Sequence, residues 1–332
     1  MHLGRCAMGL IRNTAAALLG IAMMPALAQA ETKWDLPNSL SPNNFLTGVT
    51  EEFAADVKES TGGKLVITVH PGGSLFRQNQ IKRAVQTGQV QMGDILLSSY
   101  SNEDPIFGVD SLPFLTSSYK DAWKLYQASK PALQKRMAEA GAMVVYAGPL
   151  PPQALYAKDP ITKAADAKGL KWRAYSPLTS RLAELLGAQP VTIMSSELSQ
   201  AMATGAVHAF ITSSGTGYDT KVFEHFKYVY DTEAWVPKNL MLMNKAAFDA
   251  LDKPTQDALL AAADRAEKKA WKISEEKHAW YIKELAANGM TVAPPSPQLK
   301  GELVAIGKQM TEEWLKTAGP DGKAILDAYA KQ

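Results

Sequence analysis

Cysteine is almost missing from this chain. The single one, Cys6, falls among the first thirty residues. Everything after residue 30 therefore lacks a thiol nucleophile, a disulfide and a thiolate for a metal. A chain of 332 residues does not need such staples, because a core of that size can hold itself together. Histidine is sparse too. His70, His208, His225 (beside Glu224) and His278 show no zinc-site spacing, so no metal and no other cofactor is expected. Gly-rich phosphate loops are absent: there is no P-loop and no G-x-G-x-x-G, which removes the usual nucleotide signatures. No G-x-S-x-G elbow surrounds Ser213 or Ser214. One Ser-x-x-Lys match, Ser117-Ser118-Tyr119-Lys120, lacks the S-D-N and K-T-G companions that would give it meaning. After residue 30 no apolar run is long enough to cross a membrane, so direct membrane insertion is not expected.

The first thirty residues have a composition of their own. Arg5 and Arg12 give a positive start, Thr14 to Met24 form a short apolar core, and Ala28-Gln29-Ala30 places small residues where a signal peptidase reads. This pattern predicts a secretory signal peptide over 1–30, too short to span a bilayer. A mature chain from about Glu31, located in the periplasm, is the expectation. No cysteine follows the small residues, so a lipid anchor is not expected. Taking Arg5 and Arg12 from the 35 Lys and Arg leaves the remainder balanced against 33 Asp and Glu. A neutral chain without basic blocks argues against nucleic acid or an anionic membrane as partner.

What is present is an alternation of strands and helices. Thr32–Leu36 predicts a strand. Phe45, Val49, Phe53 and Val57 recur at helical spacing, and Thr61-Gly62-Gly63 stops that helix near Ser60. Leu65–His70 reads as a β-branched strand, and Ser74 as the cap of a helix running to Thr87. Further strands are expected at Val90–Leu96, Ala142–Tyr146, Leu170–Tyr175, Val191–Met194 and Val207–Ile211, with helices at Thr179–Leu186 and Ser196–Thr204 and an extended stretch at Asn239–Asn244. Glu197 suits the first turn of its helix and is read as a dipole partner. From Pro254 no Pro or Gly interrupts residues 255–288, which predicts a helix about 50 Å long at ~1.5 Å per residue. This alternation means wound α/β sheets. The expected domains are 31–149 plus about 236–278 as lobe I and 150–235 plus about 279–332 as lobe II.

Ligands of open α/β sheets sit beyond the carboxyl ends of strands. Four loops there are polar or aromatic: 37–44, 98–101, 149–156 and 212–218. Arg173, in the strand Leu170-Lys171-Trp172-Arg173-Ala174-Tyr175, can grip a carboxylate through two parallel N–H···O bonds, or serve a structural ion pair. Thr212, Ser213 and Ser214 offer hydroxyls to an anion, or make a simple polar turn. Ser98 and Gln153 lie in the same set of loops. Tyr100, Phe45, Tyr156, Tyr218 and Trp235 are candidates for a pocket wall, each also explicable as packing.

The mature chain resembles the DctP-type solute receptors of TRAP (tripartite ATP-independent periplasmic) transporters, from about Trp34 to Trp314. The resemblance rests on Glu59-Ser60-Thr61-Gly62-Gly63-Lys64-Leu65, Pro71-Gly72-Gly73-Ser74-Leu75, Ala84-Val85-Gln86-Thr87-Gly88-Gln89-Val90-Gln91-Met92 and Ser111-Leu112-Pro113-Phe114-Leu115. It continues in Lys168-Gly169-Leu170-Lys171-Trp172-Arg173, Leu186-Gly187-Ala188-Gln189-Pro190-Val191 and Ala201-Met202-Ala203-Thr204-Gly205-Ala206-Val207. The resemblance implies a two-lobe periplasmic binding protein (type II-like), with crossing strands between lobes and one long helix spanning both. It implies that Arg173 is the carboxylate clamp, and that the partner is a permease of a small and a large membrane subunit that uses no ATP. The chain departs from many relatives at Pro151-Pro152-Gln153-Ala154, where they carry another Arg, at His208-Ala209, where they carry Asp-Gly, and over Thr212–Gly217. One cation fewer and several aromatics point to a monocarboxylate with a neutral keto, hydroxy or aromatic end. The competing readings are a C4-dicarboxylate receptor, the receptor of an ATP-driven importer, and a periplasmic hydrolase using Ser213 or Ser214, for which no base is recognisable nearby in sequence.

Overall fold

The computed structural model describes residues 31–116 and 118–332. The expected signal peptide with Cys6, and the first serine of Ser117-Ser118-Tyr119-Lys120, lie outside them.

Among the described residues the chain begins β1 (Thr32–Pro37), α1 (Phe45–Ser60), β2 (Leu65–His70), α2 (Gln78–Gln86), β3 (Met92–Leu96), α3 (Tyr119–Glu139) and β4 (Ala142–Pro149). It continues through β5 (Gln153–Ala157), β6 (Lys171–Ala174), α4 (Pro177–Leu185), β7 (Gln189–Thr192), α5 (Leu198–Ala203), β8 (Ala209–Ser213), α6 (Ser214–Asp219) and β9 (Tyr228–Tyr230). It ends with β10 (Lys238–Asn244), α7 (Lys245–Asp249), α8 (Lys253–Ala287), β11 (Thr291–Ala293) and α9 (Pro297–Ala330), the last bent where Gly319 leaves helical geometry before Pro320.

Two lobes result. In the first, β1 and β2 pair in parallel, the Asn38–Asp94 bridge ties β1's end to β3, and β10 lies antiparallel between β3 and β4. The second holds a six-stranded sheet in the order β11-β9-β5-β8-β6-β7. β10 returns to the first lobe after the chain has built most of the second sheet, so strands cross between them. All residues of β5, β8 and β10 are buried. Strands covered on both faces tend to read as apolar runs, which is how the middle of β8 was visible in sequence.

The helices follow their local chemistry. Asn44 caps α1, its side chain accepting from Leu46 N at 3.0 Å. Phe53 and Val57 then bury the inner face, each contributing about 1.5–3 kcal/mol. α8 starts at the Asp252 cap and keeps a stripe of Ala262, Ala263, Ala266 and Ala270 inward. These small residues let it pack closely on α1 and β4, while its later turns pack on α6 and β11.

Three expectations are corrected. The helix predicted from Ser74 starts at Gln78, because Gly72 and Gly73 both take left-handed φ (68° and 70°) and carry the chain through a longer turn. Arg77, not Ser74, precedes its first turn. The polar loop at 212–217 is mostly regular: Thr212 and Ser213 finish β8, and Ser213 starts α6 by accepting from Thr216 N at 3.0 Å. The loop at 149–156 becomes strand from Gln153, which pairs with β8 on one side while its own N–H donates to the Trp235 carbonyl at 3.0 Å.

Candidate functional site

Arg173 stands on β6 between β7 and β8, opposite Val191 and Phe210. It is 2% exposed. Its Nε donates to the Ile193 carbonyl at 2.9 Å, and Nη1 reaches the Thr212 hydroxyl at 3.5 Å. The guanidinium lies over the Tyr175 ring, and the Tyr175 hydroxyl donates to Gln153 Oε1 at 2.9 Å. Among the described residues no carboxylate pairs with this cation. Burial pushes its pKa down to about 10, with Tyr175 pulling the other way, so the group remains charged at neutral pH. A buried guanidinium with no carboxylate beside it keeps a charge that the protein itself does not answer.

Arg173 lines a narrow cavity that opens to solvent. Gln153 and Thr212 share its wall, so three of the sequence candidates come together. The opposite wall comes from the first lobe: Ser39, Gln78, Pro237 and Asn239. Arg173 is the one charged residue lining it among the described residues. A second cavity of about 210 Å³ adjoins it, shares Ser39, Leu40, Ser195 and Thr216, and is bounded by Asn44 and Asp219. Asn44 Nδ2 donates to Asp219 Oδ2 at 2.7 Å, joining α1 to α6 across the cleft.

The other candidates are placed elsewhere. Ser213 is occupied as the cap of α6 and donates to Thr216 Oγ1 at 2.9 Å. Ser214 is buried, with its hydroxyl 3.0 Å from His278 Nδ1. Ser98 is fully buried in a short turn after β3. Tyr100 stands behind Gln78, donating to its carbonyl. Phe45 and Trp235 belong to the core of the molecule, and the Trp235 carbonyl accepts from Gln153 N at 3.0 Å. Tyr156 stacks on Phe210 at 5.3 Å behind the sheet.

Sequence reasoning placed Ser39 and Thr216 in ligand loops without singling them out, and missed Gln78, Tyr175, Ser195 and Asn239. Gln78 was hidden inside a helix whose start was misplaced, and Asn239 at the head of an apolar run. It also missed a base near Ser214. His278 stands beside it, 3.4 Å from Asp231 and 3.7 Å from Glu233 through its other nitrogen. Ser214 lines neither cavity, and this grouping ties α6, α8 and the segment after β9 together.

A cleft between two α/β lobes, with one buried cation and a wall drawn from both, is receptor architecture. The family model for bacterial extracellular solute-binding protein, family 7, matches residues 37–317. The chain belongs to this family of solute receptors. Among the described residues no helix is long and apolar enough to cross a membrane, and the family is extracytoplasmic. Solved family members are close to it. DctP6 of Bordetella pertussis, an extracytoplasmic solute receptor binding pyroglutamic acid, is 51% identical, with a TM-score of 0.90 over 91% of this chain and 100% of that one. A marine metagenome TRAP solute-binding protein specific for pyroglutamate is 43% identical, with a TM-score of 0.90 over 91% and 99%. DctP7 of Bordetella pertussis, which also binds pyroglutamic acid, is 41% identical, with a TM-score of 0.89 over 90% and 99%.

Proposed function

We propose that this chain is the periplasmic receptor of a TRAP permease and that its ligand is a small monocarboxylate of the pyroglutamate kind. The observation that carries this is Arg173: one buried cation without a protein counter-charge, in a cavity whose other polar groups are neutral. One carboxylate neutralises it. A dicarboxylate such as succinate would bury a second charge with nothing to pair it, at a cost of several kcal/mol. The kinship of 41–51% to receptors of pyroglutamate supports the same ligand size and charge.

In this reading residues 1–30 direct export and are removed, and the loaded receptor docks on a small and a large membrane subunit. Binding draws contacts from both lobes and so favours the closed state. No covalent chemistry is assigned to the protein.

The experiment is a thermal-shift and calorimetric series on the mature chain with L-pyroglutamate, lactate, pyruvate, succinate, malate and a sugar acid. At 100-fold excess over Kd a true ligand adds ~3 kcal/mol of stability. Pyroglutamate should raise the melting temperature, and succinate should not. Tight binding of succinate or malate with none of the monocarboxylates overturns the ligand class. Turnover of a bound acid by the purified protein would revive the hydrolase reading.

A further inference from the structure

Asn239 is 3% exposed and heads β10, on the cavity wall that faces the second lobe. Its amide orientation is fixed from behind. Nδ2 donates to Asp94 Oδ1 at 2.9 Å, and Asp94 is itself buried. An ionised carboxylate only accepts, so the amide must turn its N–H side to Asp94 and its carbonyl away. That carbonyl, Oδ1, is buried and has no hydrogen-bond partner in the protein. Buried polar atoms of this kind are rare, and each asks for an explanation. Burial pushes Asp94 up to about 7, against the pull of the Asn239 bond, so above neutral pH it holds the amide in this orientation.

Two residues that line the cavity therefore carry unanswered groups of opposite kind: the Arg173 guanidinium, which asks for an anion, and the Asn239 carbonyl, which asks for a hydrogen-bond donor. We propose that Asn239 is a specificity residue that accepts a hydrogen bond from an N–H or O–H on the neutral part of the ligand. The inference rests on the receptor reading above and narrows its ligand class. A monocarboxylate with a donor, such as a lactam acid, answers both groups. One without a donor leaves Oδ1 buried and unpaired, or sets a second acceptor against it.

The asymmetry of such sites makes the test sharp. A pocket built to hydrogen-bond a ligand group rejects the analogue lacking it, because its own polar atom is left unsatisfied. L-pyroglutamate and its lactone analogue, 5-oxotetrahydrofuran-2-carboxylate, have the same shape and charge, but a ring oxygen replaces the N–H. Calorimetry of the mature wild-type protein at pH 8 should show the lactam bound roughly 10- to 100-fold more tightly than the lactone. In Asn239→Leu that ratio should collapse to within about threefold, chiefly through weaker lactam binding. Equal affinity of the wild type for both compounds overturns the inference without any variant, and so does an unchanged ratio in a folded Asn239→Leu. If neither compound binds but pyruvate, which has no donor, binds tightly through Arg173, the donor reading falls and the receptor reading stands. If no carboxylate binds, both fall.

Discussion

Arg173 and Tyr175 lie two residues apart at the end of β6, and the guanidinium carbon is 4.9 Å from the centre of the tyrosine ring. The ring holds the cation flat by cation–π attraction without neutralising it. The Tyr175 hydroxyl then turns to Gln153, donating to its Oε1 at 2.9 Å, so ring and amide are tied together beside the cation.

From this arrangement Arg173→Met should have opposite effects on stability and binding. It removes an uncompensated buried charge, so the ligand-free protein should be as stable as wild type or more so in urea. It also removes charge-assisted bonds to the ligand, and affinity should fall by about 100-fold or more. Arg173→Lys should not restore it, since an ammonium lacks the planar fork. Marked loss of stability in the ligand-free Arg173→Met protein would mean that the arginine is structural.

Asp219 yields a pH prediction. Burial pushes its carboxyl up to about 6 from an ordinary 3.8, against the Asn44 bond and the pull of Lys277. A carboxyl whose folded value is raised binds its proton more tightly in the fold. Between about 4 and 6 the folded state holds more protons than the unfolded one, so its stability falls as pH rises through that window. Asp219→Asn keeps an acceptor for Asn44 and has no charge to bury. It should be more stable than wild type at pH 7 to 8, with the gap closing as pH falls from 6 toward 4. Urea unfolding of both proteins across that range decides it. A wild-type advantage that grows with pH would mean that Asn44 and Lys277 outweigh burial.

Gly307 marks a close passage of α9 over the chain at Pro113. A Cβ built there would stand 2.3 Å from the Pro113 carbonyl oxygen, and backbone cannot move aside cheaply. Gly307→Ala should cost about 1–3 kcal/mol, as overpacking does. Gly301, in the same helix, has open space where its Cβ would go. Gly301→Ala should be neutral or stabilising by up to ~1 kcal/mol from helix propensity alone. Denaturant curves of the pair separate the local clash from a general intolerance of α9.

Much of the fold was legible because its signals are local. α1 was readable end to end: its apolar spacing sets the face, and Thr61-Gly62-Gly63 ends it. α8 was readable because a proline opens it and neither proline nor glycine interrupts it. Within the site, Arg173 was legible as a charged residue in a strand and as a match to the family's pattern. Thr212 and Gln153 were legible beside it, but the residues of the facing wall were not. Asn239 gains its meaning from Asp94, 145 residues away, and Ser214 meets His278 across 64. Tyr100 and Tyr156 carried the chemistry of a pocket wall, but burial turned them into supports behind it. Side-chain type can be read along a chain. Which side of a sheet a pocket occupies depends on the whole topology.

The place of β10 has a consequence for how the molecule comes into being. It is the middle strand of β3-β10-β4, so the first sheet cannot close until residues 238–244 of 332 have been made. By then every strand of the second sheet but β11 is already available. The first half of the chain therefore cannot be cut out as a finished body. Pairings over such long stretches form slowly, because the entropy of closing a large loop must be met before they give anything back. The first sheet therefore closes late, only once about three quarters of the chain exists.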